Sequence, residues 1–439
     1  MTGTVVFSLI AVIVAFILFV VLCLKGLNPI FVALLCTVLV CLSTPNGISS
    51  VFTTFMPGVA SQFQNFFLVF AIGGAYGYAL MDSGASTAVS RHLIKVFGTR
   101  NVPIIIFVIT TLFAIAGVSS YQFAVFALSI PLLKESNLPK KVAVAAMSAG
   151  AGSIAYGTLV GVPNILNIAP TTYLGTTTMA AVGMSLTCTC VSLVFIYLWL
   201  NYERKKCLRN GIGFDGDEAD IQYADTEAEK LPPAWKGYLS LLMVAIISIV
   251  LQFVFHVTAL WSVVYAQVIS IVVLILLVGK KHLEHPLTSC MKGFIGSLPA
   301  VITICIIVGY ASCVQSTEAF QAAVKWVLGL NMHPYIICFI GVNLISAMCA
   351  HGMAGINVFM SAVGTQLAQN PIVNVNAFHR IASISAAGLD SLPHNGQIAF
   401  QLSVFKLSYK DGYFQQFMMS VVVNLLAGIV AVVIGILFY

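Results

Sequence analysis

Apolar runs of about 20 residues, the length a helix needs to cross the hydrocarbon core of a bilayer, recur at 4–24, 27–43, 62–82, 175–201, 236–256, 260–279, 294–314 and 413–437. Each predicts a membrane-spanning helix. Two further apolar stretches, 141–169 and 378–405, carry Gly or Pro in mid-course and predict crossing helices with an unwound centre. That pattern survives in a bilayer only where the backbone is buried in protein or lines a polar cavity. Together these segments predict about ten crossings. Two stretches remain, 103–133 and 334–369, each split by a small polar turn: GVSSYQ from Gly117 and CAHGMAG from Cys349. Their arms are too short to cross, so they predict re-entrant hairpins.

The basic residues between the runs orient them. Arg91, Lys95 and Arg100 precede the first hairpin and Lys134, Lys140 and Lys141 follow it, so both of its flanks carry the positive charge expected of cytoplasmic segments. The linking segment 202–235, with Arg204, Lys205, Lys206 and Arg209, and the short segments around Lys280, Lys281, Lys406 and Lys410 are cytoplasmic on the same ground. The turn near His256 then lies outside, the second hairpin opens from outside, and both termini are expected outside. Val5–Leu24 lacks a basic flank and a cleavage site ahead of a soluble domain, so it reads as a retained first helix.

An odd number of crossings separates the halves, which predicts two inverted repeats, 1–201 and 236–439, joined by the cytoplasmic loop 202–235. Weak internal similarity supports this. Ala149–Ile154 lies over Ala387–Leu392 without a gap, whereas matching the hairpins at Val125-Phe126 and Val358-Phe359 needs a different offset. In each half the order is a full helix, a hairpin, a broken helix and a final helix.

Composition narrows the class. The chain is 59% hydrophobic and 8% charged, with mean hydropathy +1.00; this is an all-α polytopic membrane protein without a sizeable soluble domain. Net charge of +6 sits in the loops, and no basic face with interleaved aromatics predicts a nucleic-acid partner. The 11 cysteines fall mostly inside apolar runs without CxxC pairs and read as packing residues, so no metal site or cofactor is expected. A GxxxxGK[ST] phosphate loop is absent from the sequence, which argues against ATP-driven pumping.

Against that background Ala386–Asn395, AAGLDSLPHN, is exceptional. Ionisable groups at membrane depth are functional candidates by default. Two inverted repeats would bring both hairpin tips and both helix breaks together, where half-helix N-termini present amides and a positive dipole end to an anion. The expected partner is a small organic anion. Candidate contacts are Ser119 and Ser120 at one tip, His351 and Gly352 at the other, Ser153 and Thr158 in the first break, and Ser391, His394 and Asn395 in the second. Proton coupling falls to Asp390 first and His394 second, since a carboxylate that loses its charge stops repelling an anionic substrate. Asp82 reads as a helix-end cap or brace, and His379 and Arg380 are placed at the outer mouth. A sodium-coupled carrier is the alternative. A membrane-embedded hydrolase would need Ser119 with His351, or Ser391 with His394, as a nucleophile–base pair.

GAYGYALMDSGAS, Gly74 to Ser86, resembles the glycine-rich helix of the gluconate permease family of proton symporters, and LDSLPHNG, Leu389 to Gly396, is similar to the branch that includes beta-hydroxybutyrate permeases. His351 and the GVPN of Gly161–Asn164 depart from the family pattern. The resemblance implies a secondary transporter of the ion transporter superfamily in a bacterial inner membrane. It implies a homodimer of elevator type, whose transport domain carries the hairpins and broken helices past a scaffold while importing a hydroxycarboxylate with protons.

Overall fold

The structure is a computed structural model that describes residues 3–439. Its regular elements are all helical, with no β-strand among the described residues. The first half runs α1 (Gly3–Leu24), α2 (Pro29–Cys41), α3 (Met56–Asp82), α4 (Ala85–Phe97), α5 (Val102–Ile115), α6 (Tyr121–Glu135), α7 (Lys140–Met147), a π-helical stretch Ser148–Thr158, α8 (Ile165–Leu174) and α9 (Val182–Arg209). A short α10 (Glu218–Ala224) lies in the linking segment. The second half runs α11 (Ala234–Phe253), α12 (Ala259–Val278), α13 (Pro286–Gln315), α14 (Glu318–Leu328), α15 (Pro334–Cys349), α16 (Gly352–Phe359), α17 (Thr365–Ala368), α18 (Val375–Ala386), α19 (Gly396–Val404), α20 (Tyr409–Gln416) and α21 (Val423–Phe438).

Among the described residues, 7 helices are long and apolar enough to span a bilayer, or up to 8 if the bent pair formed by α4 and Thr99–Ile115, turned through 108°, is one span. The chain is a multi-pass membrane protein. The remaining crossings expected from the sequence fall on α2, which is only 13 residues long, and on the two interrupted segments. Helices overrun the apolar windows because backbone hydrogen bonding continues through flanking polar residues: α13 starts at Pro286 and α9 continues to Arg209. The linking segment is therefore shorter than 202–235, and α10 within it is closed by a capping box between Asp217 and Asp220.

Small residues decide which helices touch. A Cβ at Gly74 would lie 2.5 Å from the carbonyl oxygen of Gly293, and one at Gly77 would lie 3.0 Å from that of Phe123. Thus α3 brings its backbone against α13 on one side and against α6 on the other, a contact that only glycine permits. The glycine-rich motif of the sequence is a packing device between the first hairpin and α13.

The ion pairs found among the described residues gather at one end of the molecule. Lys141 pairs with Glu203 at 2.9 Å, Lys140 with Asp220 at 3.4 Å, Arg91 with Glu135 at 3.3 Å and Lys406 with Asp217 at 2.5 Å. The linking segment straps that end: the Lys140 amide donates to Asp215 (2.7 Å) and Arg91 Nη2 to the Ala224 carbonyl (3.2 Å). Asp82 closes α3 here beside the Tyr223 hydroxyl. It also lines a polar cavity of about 270 Å³ with Lys230, Lys281 and His282.

Candidate functional site

The second hairpin and the second interrupted helix meet at Asp390. After α15 the chain turns through Ala350 in the left-handed region (φ 50), and His351 is extended. Its Nδ1 accepts the Ala354 amide at 3.4 Å, so the imidazole caps α16. The first residue of α16, Gly352, is pressed onto the break: a Cβ there would lie 3.0 Å from Asp390 Oδ2 and still closer to the Ala386 carbonyl oxygen. The Gly352 amide lies beside the carboxylate. Ser391 Oγ donates to Asp390 Oδ1 at 2.8 Å. Among the described residues no cationic side chain is within ion-pair range of Asp390.

The turn that presents Asp390 is held from several sides. Helix α18 ends at Ala386 and the chain forms a 3₁₀ turn over Leu389–Ser391 before α19. Asn343 Oδ1 accepts the Leu389 amide at 3.1 Å. Asn395 caps α19 by accepting the Gln397 and Ile398 amides, while its Nδ2 donates to the carbonyls of Asp390 (2.7 Å) and Ala350 (2.9 Å). One amide side chain thus ties the break to the hairpin tip. Tyr409 adds a hydrogen bond from its hydroxyl to the Pro393 carbonyl at 2.9 Å.

His394 takes another direction. Leu392 is extended (φ −70, ψ 165), so the helical spacing that would face His394 toward Asp390 is lost. Its Nε2 donates to the Ala347 carbonyl at 2.9 Å, and the buried ring sits among Phe16, Phe19 and Tyr310, 5.0 to 6.5 Å between centroids. Ser391 and His394 are each bonded elsewhere and form no nucleophile–base pair with one another.

The first half is built differently from what the alignment implied. The Gly-rich run that lies over the Asp390 turn is wound as the π-helix Ser148–Thr158, and the chain leaves helical geometry only at Leu159. Ser153 Oγ donates to the Met419 carbonyl and Thr158 Oγ1 to that of Ser153 (3.4 Å), so both hydroxyls serve internal packing. The true break, Leu159–Asn164, ends on Asn164, which accepts the Asn167 amide at 2.9 Å to cap α8 and donates to the Ala155 carbonyl at 2.7 Å. GVPN is thus the entry to a capped half-helix, as HN is before α19. Matching Asn164 to Asn395 gives an offset closer to that of the hairpins than pairing Ala149–Ile154 with Ala387–Leu392 does. At the first tip Ser119 Oγ is buried without a partner, and Ser120 receives the Gln267 amide.

Arg380, expected at the outer mouth, is 0% exposed, as is His379. Guanidinium N–H groups donate to the Thr178 and Ala180 carbonyls and to Asn167 Oδ1 at 3.0 to 3.2 Å. Among the described residues no carboxylate pairs with it. Carbonyl dipoles hold this cation, and it in turn pins the segment before α9 against α18. Arg380→Met orphans these acceptors, each costing about 1–3 kcal/mol. A loss of about 2–4 kcal/mol in stability is expected, read as a lower melting temperature in detergent. Arg380→Lys restores only part, because an ammonium lacks the fork geometry.

The family model described as a citrate transporter matches residues 13–290, well over half of the chain. The chain belongs to the citrate transporter family. The matched family is that of the citrate transporters, whereas the gluconate permease resemblance rests on two short motifs. A curated relative is "Uncharacterized transporter YxjC" of Bacillus subtilis (strain 168), 22% identical over 427 residues, covering 89% of this chain and 90% of the relative. Membership makes this citrate transporter family protein a secondary membrane transporter. Among solved structures, the chain matches MtrF of Neisseria gonorrhoeae, from a study titled as illuminating a class of antimetabolite efflux pumps. It is 13% identical over 100% of this chain and 95% of that chain, with a TM-score of 0.39. A likeness that low bears on neither fold nor function.

Proposed function

We propose that this protein imports a hydroxycarboxylate, citrate or a shorter acid such as beta-hydroxybutyrate, in symport with protons, and that Asp390 is the coupling group. The observation that carries this reading is a carboxylate without a cationic partner, seated at the N-terminal end of α16 where the hairpin tip meets the break. A helix N-terminus favours one negative charge beside it. When Asp390 is ionised it supplies that charge itself and repels a second anion. When it is protonated, the same amides are free to receive a substrate carboxylate, so proton and substrate bind together. The family description names citrate, which is itself a hydroxycarboxylate, and the gluconate and beta-hydroxybutyrate resemblance points to the same chemical class.

The charged end is cytoplasmic in this reading, by the excess of Lys and Arg in its segments. Both termini are then outside, and the host membrane is a bacterial inner membrane. A homodimer of elevator type, with the hairpins and broken helices in the moving part, completes the proposal. Its test is uptake of labelled citrate and beta-hydroxybutyrate into proteoliposomes under an inward proton gradient and, separately, an inward sodium gradient at fixed pH. Stimulation by protons is expected. Stimulation by sodium alone would replace proton coupling with a cation site, and uptake of neither acid would remove the substrate class.

A further inference from the structure

An apolar groove of about 550 Å³ opens on the flank of the first hairpin and shares no residue with the Asp390 turn. Three helices line most of it: α4 with Leu93 and Phe97, α5 with Val108 and Leu112, and α11 with Leu241 and Ala245. Each pair stands four residues apart, so each helix turns one apolar stripe toward the groove. Helix α4 meets the α5 segment at 108° through Gly98, whose φ is +80, and so lies across the end of α5. Away from its apolar stripe α4 carries Arg91 and Lys95, the pattern of a helix lying in the membrane interface. The groove starts at Asn101 and Tyr238, at the end that carries the ion pairs, and runs along α5 to Leu112. At about 1.5 Å per residue that run is about 17 Å long, close to half of the roughly 30 Å of hydrocarbon in a bilayer. The groove is therefore one leaflet deep.

Charge at its mouth has one sign. The segments that line the groove, 84–134 and 231–253, contain no aspartate or glutamate. Lys95 and Arg100 are exposed and make no ion pair among the described residues, whereas Glu135 and Asp225 are taken up by Arg91 and Lys134. His92, also exposed, joins α4 to α11 through a 2.9 Å hydrogen bond between Nδ1 and the Tyr238 hydroxyl. Trp235, 55% exposed just before Tyr238, marks the level of the interface. Lipid tails are as apolar as leucine, so an acyl chain gains little on an arbitrary apolar helix face. Inside a groove it touches three helices at once and the dispersion contacts add. We propose that the groove binds one anionic phospholipid from the leaflet at this end, with an acyl chain along α5 and the phosphate held by Lys95 and Arg100. Each basic group near a membrane surface enriches an anionic lipid about fivefold, so the pair selects phosphatidylglycerol over phosphatidylcholine. The inference needs only that the chain spans a membrane and is independent of the coupling role of Asp390.

The test titrates full-length protein in detergent micelles with dioleoylphosphatidylglycerol and, separately, dioleoylphosphatidylcholine, counting bound lipid and subunits by native mass spectrometry. Wild type is expected to retain one phosphatidylglycerol with an affinity at least about fivefold above that for phosphatidylcholine. In Lys95→Gln/Arg100→Gln that preference falls toward unity while phosphatidylcholine binding is unchanged. Ala245→Phe, which places a ring in the groove, weakens the first bound lipid of either kind by about tenfold. Leu276→Phe, at a position on α12 that is 75% exposed and outside the groove, leaves both affinities as in wild type. Equal affinity of wild type for the two lipids overturns the inference, as does an Ala245→Phe protein that binds both as wild type does. A wild-type dimer that Ala245→Phe converts to a monomer with its bound lipid unchanged also overturns it, because the groove then seats a second copy of the chain.

Discussion

Asp390→Asn is expected to abolish proton-driven accumulation of substrate, lowering gradient-driven uptake by at least about a hundredfold, while leaving substrate exchange across the membrane in place. Asparagine has the shape of the carboxylic acid in its neutral form and cannot ionise, so the repulsion that excludes an anion from the α16 N-terminus never returns. Wild-type uptake should fall as external pH rises, because deprotonated Asp390 competes with the substrate for the same amides. The Asp390→Asn protein should instead exchange substrate at a rate that is flat with pH. The hydrogen bond from Ser391 Oγ (2.8 Å) has an acceptor oxygen in either side chain, so the turn survives the change. A variant that still accumulates substrate against its gradient would remove Asp390 from the coupling role.

Gly352→Ala should be nearly as damaging without touching an ionisable group. The added methyl would overlap the Ala386 carbonyl and lie 3.0 Å from Asp390 Oδ2. Both obstacles are fixed: the carbonyl is backbone, and the carboxylate is held by Ser391 in a turn tied down by Asn395 and Asn343. Overpacking of this kind costs about 1–3 kcal/mol, and each 1.4 kcal/mol placed on the arrangement that seats the hairpin tip against the break is about tenfold in its population. Uptake should drop by roughly ten- to a hundredfold, with protein of normal yield. Gly175→Ala is the control, since nothing lies within 4 Å of an added Cβ there. Its left-handed φ of +64 makes it the harsher backbone change. If Gly352→Ala transports as well as Gly175→Ala, close approach of the hairpin tip to the break is not required.

The spans were legible because hydrophobic run length is set by the bilayer, and the two short-armed segments stood out on the same criterion. Helix ends were not, since α3, α9 and α13 extend through polar residues that hydropathy treats as boundary. The segment LDSLPHNG was legible as a helix break carrying a charge because an aspartate and a proline in an apolar run do not fit a regular crossing helix. The roles inside it were less so. His394 sits four residues from Asp390, but Leu392 and Pro393 break the helix that this spacing assumes, and the imidazole turns to Ala347 and the aromatic rings. The Gly-rich run of 149–153 looked like a break because glycine permits one, whereas the π-helix there is held by contacts from Met419 and Asn424 that are distant in sequence. Arg380 was misplaced for a related reason. A lone arginine defaults to the surface, and only the fold supplies the Thr178 and Ala180 carbonyls that let it stay inside.

The measurement that bears most directly on proton symport through Asp390 is of the proton itself. Purified protein is reconstituted in vesicles carrying an internal pH indicator, with no imposed gradient and no sodium, and substrate is added outside. Internal acidification that tracks citrate or beta-hydroxybutyrate entry, and that vanishes in Asp390→Asn, is the predicted result. Substrate entry with no change in internal pH, or entry that begins only when sodium is supplied, would contradict it.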